Sequence, residues 1–461
     1  MTLDIDVVIR GGTVITMDPA RRVLRGDVVV RGDRIVAIEP RGAIATAGMQ
    51  ARVVDADGCV VVPGFVQAHV HLCQALFRGM ADDLPLMDWL RRRIWPLEAA
   101  HDEASLRASA RLGLAEMMRA GTTTILDIGT VHHEDVVFEA MAESGMRGFS
   151  GKAMMDRGQG VPKGLRETTR ESLRESERLC AKWHRAEGGR LGYAFGPRFI
   201  LSCSEGLLRD TATLARERGA RIHSHASEHK GERDEVRKIL GKDDVDVLAG
   251  WGIAGPDVIL AHGVQLGRAQ MKRMAERGTR LAHCPSANLK LASGIADVVA
   301  MREAGLVVGI GADGAPCNNR MDPFTELRQA ALLAKVRRED AAALAPIDAL
   351  AMLTIDGAKA LGIDADVGSI EVGKKADLAV VRLDGLHCEP LPSGEPYEDG
   401  EAGGDPVARL VYSATASDVT DVLVDGRAVV RGGVLRAMEE GAVREEARRE
   451  AWRLRKRAEI R

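Results

Sequence analysis

Short apolar runs alternate with longer amphipathic segments through most of the chain. The runs are rich in Val, Ile and Leu, and we interpret eight of them as strands: 59–71, 122–129, 146–155, 190–201, 220–228, 257–264, 279–284 and 306–313. The segments between them, such as 104–121 and 207–220, place apolar residues at helical spacing. Helix-separated strands indicate parallel pairing, and eight βα units are the number that closes a (β/α)₈ TIM barrel. An open doubly wound sheet is the alternative, but it would normally carry a glycine-rich phosphate turn after its first strand, and none follows here.

The two ends of the chain have a different pattern, in which short alternating apolar stretches are broken by Gly and Asp. Residues 1–58 and 365–435 are therefore predicted to form one small β-sandwich domain beside the barrel of residues 59–364. Within the second stretch, 384–405 is rich in Gly, Pro, Asp and Glu and is predicted to be a surface loop. Residues 436–461 are predicted to form a charged C-terminal helix.

The composition mainly excludes certain classes of partner and of metal or disulfide site. Among 461 residues, Lys and Arg total 64 and Asp and Glu total 67, which gives a net charge of −3. This balance offers no electrostatic argument for binding nucleic acid or a membrane surface, so a small-molecule partner is expected. The seven cysteines are dispersed without a CxxC pair, which argues against a disulfide framework and against a cysteine-built zinc site. We therefore expect a cytoplasmic protein, and a homo-oligomer.

Reactive residue types fall where a barrel carries its chemistry, at the C-terminal ends of the strands. They are His69 and His71 of the first strand, His225 and Glu228 of the fifth, His262 of the sixth and Asp313 of the eighth. Alternation along a strand sends both histidines of the first strand to one face. Several histidines with one carboxylate form a nitrogen and oxygen ligand set that Zn²⁺ accepts while keeping a position for water. His223 is assigned to the opposite strand face from its neighbour His225 and is given no role.

The order of these motifs has a known counterpart. The stretches PGFVQAHVH (63–71), HASE (225–228), LAHGV (260–264) and GADG (311–314), with VGSIEVGKKADLAVV (367–381), resemble the amidohydrolase superfamily of metal-dependent hydrolases. Residues 71–101, HLCQALFRGMADDLPLMDWLRRRIWPLEAAH, are most similar to the branch that deaminates S-adenosylhomocysteine, 5′-methylthioadenosine and 5′-deoxyadenosine. The resemblance implies an adenosine-type hydrolytic deaminase that acts on a purine nucleoside.

The resemblance also implies a metal site. Its ligands are His69, His71, His225 and Asp313. Two-metal members of the superfamily bridge their ions with a lysine on the fourth strand, and RLGYAFGPRFIL (190–201) has none. We therefore expect one divalent ion, with Zn²⁺ as the first expectation and Fe²⁺ or Mn²⁺ compatible with the same ligands.

Further residues receive roles from the same resemblance. Glu228 is expected to transfer protons, Asp313 to accept the proton of the attacking water, and His262 to hold that water or the substrate. Glu98 matches a contact to the ribose hydroxyls. Asn288 of the loop after the seventh strand and Arg198 of the fourth strand are also expected to contact substrate. Trp89 is expected to cover the substrate.

One position departs from the pattern of the nucleoside deaminases. Arg198 follows the Gly-Pro of the fourth strand, where those enzymes commonly carry a histidine. This difference keeps a second interpretation open: a free-base or triazine aminohydrolase of the same superfamily, acting on guanine, 8-oxoguanine, cytosine or an s-triazine. A non-catalytic scaffold is a third interpretation, but such a protein should lack ligands, and every ligand type is present.

Overall fold

The computed structural model describes residues 6–44, 50–390 and 405–460. Residues 391–404 of the predicted surface loop lie outside the described residues. The strands are β1 (Val7–Ile15), β2 (Val23–Arg31), β3 (Arg34–Pro40), β4 (Arg52–Asp55), β5 (Cys59–Pro63), β6 (Phe65–Val70), β7 (Thr122–Asp127), β8 (Arg147–Ser150), β9 (Ala153–Met154), β10 (Leu191–Pro197), β11 (Arg221–Ala226), β12 (Val258–His262), β13 (Arg280–His283), β14 (Val308–Ile310), β15 (Leu378–Arg382), β16 (Val419–Val424), β17 (Arg427–Arg431) and β18 (Val434–Leu435).

The α-helices are α1 (Leu86–Trp89), α2 (Trp95–Ala99), α3 (Glu103–Arg119), α4 (Glu134–Ser144), α5 (Thr169–Trp183), α6 (Glu205–Glu217), α7 (Lys230–Leu240), α8 (Asp244–Gly250), α9 (Arg268–Glu276), α10 (Pro285–Lys290), α11 (Val298–Glu303), α12 (Ala315–Asn318), α13 (Pro323–Arg338), α14 (Pro346–Leu353), α15 (Ile355–Leu361), α16 (Pro406–Tyr412) and α17 (Glu440–Arg457). Short 3₁₀ turns occur at Leu72–Phe77, Lys163–Leu165, Glu187–Gly189 and Ala416–Asp418, and Leu90–Ile94 is a π-helical turn between α1 and α2. None of these helices combines the length and apolar character that crossing a membrane requires.

Eight parallel strands close into a barrel, which confirms the predicted (β/α)₈ fold. The strands β6, β7, β8, β10, β11, β12, β13 and β14 pair in that order, and β14 returns to β6 through Ile310 and Gln67. The predicted helix 104–121 is α3, which begins after a capping box between Asp102 and Ser105. This closure brings the C-terminal ends of all eight strands to one rim.

The first predicted strand, 59–71, is two strands in different sheets. Residues 59–63 form β5, which pairs antiparallel with β15 and parallel with β1, and only β6 belongs to the barrel. The break falls at Gly64, whose N–H donates to the Asp377 carbonyl at 2.8 Å and which has Thr123 within 2.2 Å of where a Cβ would stand. The prediction of a barrel that begins at residue 59 was therefore wrong by one short strand.

Strands from both chain ends form a separate mixed sheet, as predicted. Its order is β18-β17-β16-β15-β5-β1-β2-β3, and β4 also pairs with β1. The barrel is tied to this sheet by Arg147 of β8, which donates to both carboxylate oxygens of Asp377, at 2.8 and 3.1 Å, and to Asp425. Arg147 and Asp377 are both buried, so the ion pair fixes the end sheet against the barrel.

The charged C-terminal segment forms α17, which packs along α3. Its apolar side is buried through Val443, Ala447 and Leu454. At its end Arg457 donates to the Ala100 carbonyl at 2.9 Å and pairs with Asp102, so this helix braces the turn that follows α2.

Candidate active site

The reactive side chains meet at the C-terminal rim of the barrel. His69 lies in β6 and His71 follows it, while His225 and His262 lie near the ends of β11 and β12. Three residues at these ends adopt left-handed backbone conformations, with φ of +52° at Ser227, +79° at His262 and +62° at Asp313. Such conformations are costly for residues other than glycine and concentrate at functional sites, where the surrounding structure maintains them.

His71 and His225 present unshared electron pairs to each other. Their Nδ1 atoms each lie 2.7 Å from a backbone carbonyl, that of Ile128 for His71 and that of Arg198 for His225. A carbonyl only accepts, so each Nδ1 carries the hydrogen and each Nε2 has a lone pair. The two Nε2 atoms are 3.1 Å apart, and burial lowers the pKa of His225 well below its usual range. Two Nε2 lone pairs that face each other at this distance suit coordination of one shared cation.

His69 is oriented in the same way by a third histidine. The Nδ1 of His223 lies 2.9 Å from the Ile259 carbonyl, so its Nε2 accepts from the Nδ1 of His69 at 2.8 Å. The Nε2 of His69 therefore also has a lone pair, and this buried atom has no hydrogen-bond partner. The assignment of His223 to the outer face was wrong, because residues two positions apart on a strand share a face.

Asp313 completes a ligand set. Its Oδ1 lies 3.4 Å from the Nε2 of His69 and 3.5 Å from that of His71. Burial acts to raise the pKa of Asp313, but its interactions with the imidazoles of His69, His262 and His71 outweigh burial, so the pKa lies well below its usual range. Three imidazole lone pairs and one carboxylate oxygen converge, which is a donor set that fits a divalent ion such as Zn²⁺.

His223 provides a test of this geometry, because His69 is the one proposed ligand with which it forms a hydrogen bond. Replacing His223 with Ala should weaken metal binding by about 10–100-fold, the usual effect of losing a partner that orients a ligand. Metal affinity measured by competition with a chromophoric chelator gives the comparison. His132, an exposed histidine that contacts the Gly164 carbonyl, provides the control variant His132→Ala, which should bind metal normally. Unchanged affinity in the His223 variant would contradict the proposed orientation of His69.

Glu228 and His262 lie beside the ligand set. The Glu228 Oε2 is 3.5 Å from the His262 Nε2, and this histidine nitrogen is buried without a hydrogen-bond partner. Burial raises the pKa of the Glu228 carboxyl well above its usual range, and the charges of Asp313 and Glu232 add to the effect. Burial therefore favours the protonated form of this carboxyl group, beside the ligand set.

Asn288 orients His262 and does not line the cavity. Its Oδ1 lies 3.0 Å from the His262 Nδ1, which must therefore carry the hydrogen and leave the Nε2 as an acceptor. The sequence analysis expected Asn288 to contact substrate. The turn from β13 into α10 places it behind His262 instead.

A small cavity opens over these groups. One side is polar, where His71, His225, Glu228, His262 and Asp313 meet. The other is apolar and consists of Leu86, Trp89, Leu90, Phe199 and Leu291. Trp89 thus lies on the cavity wall, and its buried indole N–H has no hydrogen-bond partner.

Glu98 lies behind the cavity wall and not on it. Both terminal nitrogens of the Arg198 guanidinium donate to the Glu98 carboxylate, with Nη2 at 3.1 Å from Oε1. The Gln74 amide donates to the same Oε1 at 2.9 Å. Burial acts to lower the pKa of Arg198, but Glu98 outweighs it and raises the pKa. Arg198 and Gln74 line the cavity, whereas the Glu98 side chain is fully covered. No role for Gln74 was predicted from the sequence motifs.

Two other donor residues lie near the ligands. Lys152 follows β8 and donates to Glu167 at 2.5 Å and to the Ala153 carbonyl at 3.1 Å, so its amine is already paired. The Cys284 sulfur lies within 4.8 Å of the ligand atoms of His69 and Asp313, but burial raises the pKa of this thiol well above its usual range. The histidines and Asp313 therefore remain the principal ligand set.

Comparison with known proteins agrees with this site. The chain is 39% identical over 393 residues to the 5′-deoxyadenosine deaminase of Methanothermobacter thermautotrophicus, covering 85% of this chain and 87% of that protein. It is 35% identical to the 5-methylthioadenosine/S-adenosylhomocysteine deaminase of Pelotomaculum thermopropionicum, covering 97% and 99%. The zinc-bound crystal structure of an adenosine deaminase from Xanthomonas campestris superimposes with a TM-score of 0.88 and 32% identity, covering 98% and 99%. A model of the amidohydrolase family matches residues 60–429, and the chain belongs to this family.

Proposed function

We propose that this protein is a metal-dependent deaminase that hydrolyses a 5′-modified adenosine to the corresponding inosine and ammonia. The substrates in view are 5′-deoxyadenosine, 5′-methylthioadenosine and S-adenosylhomocysteine, as the names of the related enzymes indicate. The observation that carries the proposal is the convergence of four ligand atoms beside the buried carboxyl of Glu228, whose pKa burial raises, in one cavity.

The residues at the rim can move the protons that the reaction needs. In hydrolytic deamination the oxygen of water bonds to C6 of the purine and the C6–N bond breaks. Glu228 gives its proton to N1 of the ring as water adds, and Asp313 takes the proton that the water loses. Glu228, now a carboxylate, then moves the hydroxyl proton of the C6 adduct to the amine, which leaves as ammonia, and the proton held by Asp313 restores Glu228. The His262 Nε2 accepts a hydrogen bond from the attacking water and orients it.

His69, His71, His225 and Asp313 would hold one divalent ion. When bound, such an ion acts as a Lewis acid and brings the pKa of water toward neutrality. Zinc is the ion in the related Xanthomonas structure, and Fe²⁺ and Mn²⁺ accept the same ligands. The paired amine of Lys152 supports a site for one ion only.

A second candidate is a free-base or triazine aminohydrolase. It is favoured by the burial of Glu98 behind Arg198, because a carboxylate off the cavity wall does not directly meet a sugar. The guanine deaminase of Escherichia coli is a structural neighbour at 27% identity and a TM-score of 0.80, covering 92% of this chain and 99% of that one.

Relative rates on a substrate panel separate the two candidates. Zinc-loaded enzyme should show a kcat/KM for 5′-deoxyadenosine and 5′-methylthioadenosine about 10²-fold or more above that for adenine, guanine or a chlorinated triazine, since a site that binds the sugar rejects substrates without it. Ammonia release measures every substrate in one assay, and metal-free protein is the control. Activity confined to free bases or triazines would overturn the nucleoside assignment.

The cytoplasmic location and the homo-oligomer remain part of this proposal. All seven cysteines are unpaired, which is typical of proteins in reducing compartments. Leu332 and Val336 are exposed on one side of α13, where a second copy could pack. The molar mass from light scattering tests the oligomer, and a monomer at micromolar concentration would contradict it.

A further inference from the structure

Ser227 forms a left-handed turn between the end of β11 and Glu228. Its φ of +52° lies in a region that is costly for a residue other than glycine. Ser227 is only 2% exposed, so its polar groups need partners within the protein. Neighbouring groups must therefore hold this conformation.

Asp244, the first residue of α8, holds Ser227 through two hydrogen bonds. The Ser227 N–H donates to the Asp244 Oδ2, and the Ser227 hydroxyl donates to the Asp244 Oδ1 at 2.7 Å. The Ser227 carbonyl accepts from the Gln265 N–H at 2.8 Å, so every polar group of Ser227 is paired. Asp244 is fully buried, which keeps water from competing for these bonds.

The backbone of Glu228 is held on its other side by α7. The Glu228 N–H donates to the Oε2 of Glu232, the third residue of that helix, at 3.3 Å. The Glu228 side chain then enters the cavity, where its Oε2 lies 3.5 Å from the His262 Nε2. Asp244 does not line this cavity. A rotation of the peptide between Ser227 and Glu228 would carry the carboxyl away from His262.

We propose that Asp244 is a positioning residue for Glu228, which it aligns through the backbone of Ser227 without touching the substrate. The proposal rests on the proposed function, in which Glu228 protonates the ring. No role for Asp244 was predicted from the sequence. The role is geometric, so an asparagine can fill it: its oxygen accepts from the Ser227 N–H and its NH₂ donates to the Ser227 hydroxyl oxygen.

A double-mutant cycle separates positioning of Glu228 from general destabilisation. Asp244→Ala should lower kcat for 5′-deoxyadenosine by about 10–100-fold with KM and metal content nearly unchanged, because a small displacement of an acid is costly. In the Glu228→Gln background the same substitution should have almost no further effect, since the acid that it aligns is already absent. Asp244→Asn should keep near-wild-type kcat. Equal losses in both backgrounds, or a loss in Asp244→Asn as large as in Asp244→Ala, would overturn the inference.

Asp156 supplies the matched control. It accepts from the Ser204 N–H at 2.7 Å and from the Ser204 hydroxyl, which is the same pair of bonds that Asp244 makes with Ser227. Ser204 caps α6 with an ordinary φ of −73°, and the acid that follows it, Glu205, lies outside the cavity. Asp156→Ala should therefore keep wild-type kcat.

Amide hydrogen exchange of the peptide that contains Ser227 and Glu228 tests the alignment without a substrate. Exchange should be faster in Asp244→Ala than in the wild type and remain slow in Asp244→Asn, because only the asparagine keeps an acceptor for the Ser227 N–H. Unchanged exchange in Asp244→Ala would overturn the inference.

Two further outcomes are distinct. If Asp244→Ala does not fold, Ser227→Ala removes one of the two bonds and should give a smaller loss of kcat, again absent in the Glu228→Gln background. Wild-type protein that deaminates no nucleoside would refute the proposed function, and the exchange measurement would still decide whether Asp244 holds the turn.

Discussion

Replacing Glu228 with Gln should lower kcat by about 10²–10⁴-fold, the usual contribution of a positioned acid or base, and leave the bound metal unchanged. The substitution keeps the shape of the side chain and its place beside His262, at 3.5 Å in the wild type. It removes the carboxyl group whose pKa burial raises, so this side chain can no longer protonate the ring nitrogen as water adds. Steady-state kinetics with 5′-deoxyadenosine and metal analysis of the same sample provide the two readouts.

The control for this variant is Glu205→Gln, at the exposed start of α6 and outside the cavity. It should retain wild-type kcat and metal content. Near-normal turnover in the Glu228 variant would remove Glu228 from acid–base catalysis, and a loss of metal would show that its carboxyl contributes to the ligand set.

Replacing His71 with Ala should abolish both metal binding and turnover. His71 contributes one of two Nε2 lone pairs that face each other at 3.1 Å, and its Nε2 also lies 3.5 Å from Asp313. The loss of metal affinity should exceed the roughly 10–100-fold expected for a residue that only orients a ligand, such as His223. Metal content after gel filtration and ammonia release with added zinc measure the two effects. Full activity with normal zinc content would contradict the ligand assignment.

Local rules were sufficient to predict most of the site. Apolar periodicity identified the eight strands, and the rule that barrel chemistry lies at the C-terminal ends of strands drew attention to His69, His225 and Asp313 before any distance was known. The alternation of side chains along β11 also places His223 on the same face as His225. The sequence prediction assigned His223 to the opposite face, which was incorrect. The division of 59–71 into two strands depends on pairing with β15, more than 300 residues later, which no local pattern reveals.

The partners of buried polar groups could not be predicted in this way. Arg198 and Glu98 are 100 residues apart, and whether Glu98 faces the cavity or stands behind Arg198 depends on how two loops pack. Asn288 was correctly placed near the site, but its bond to His262 depends on the exact turn into α10. Gln74 lies in the stretch 71–101 but received no role from the resemblance, and only its position on the cavity wall and its unpartnered oxygen draw attention to it.

The most direct test of the account is to follow 5′-deoxyadenosine in ¹⁸O-labelled water with zinc-loaded enzyme. Hydrolytic deamination predicts one ammonia released for each substrate consumed, with a single heavy oxygen on the purine ring of the product and none on the sugar. Unlabelled purine, cleavage of the sugar from the base, or no reaction with any 5′-modified adenosine would contradict the central claim.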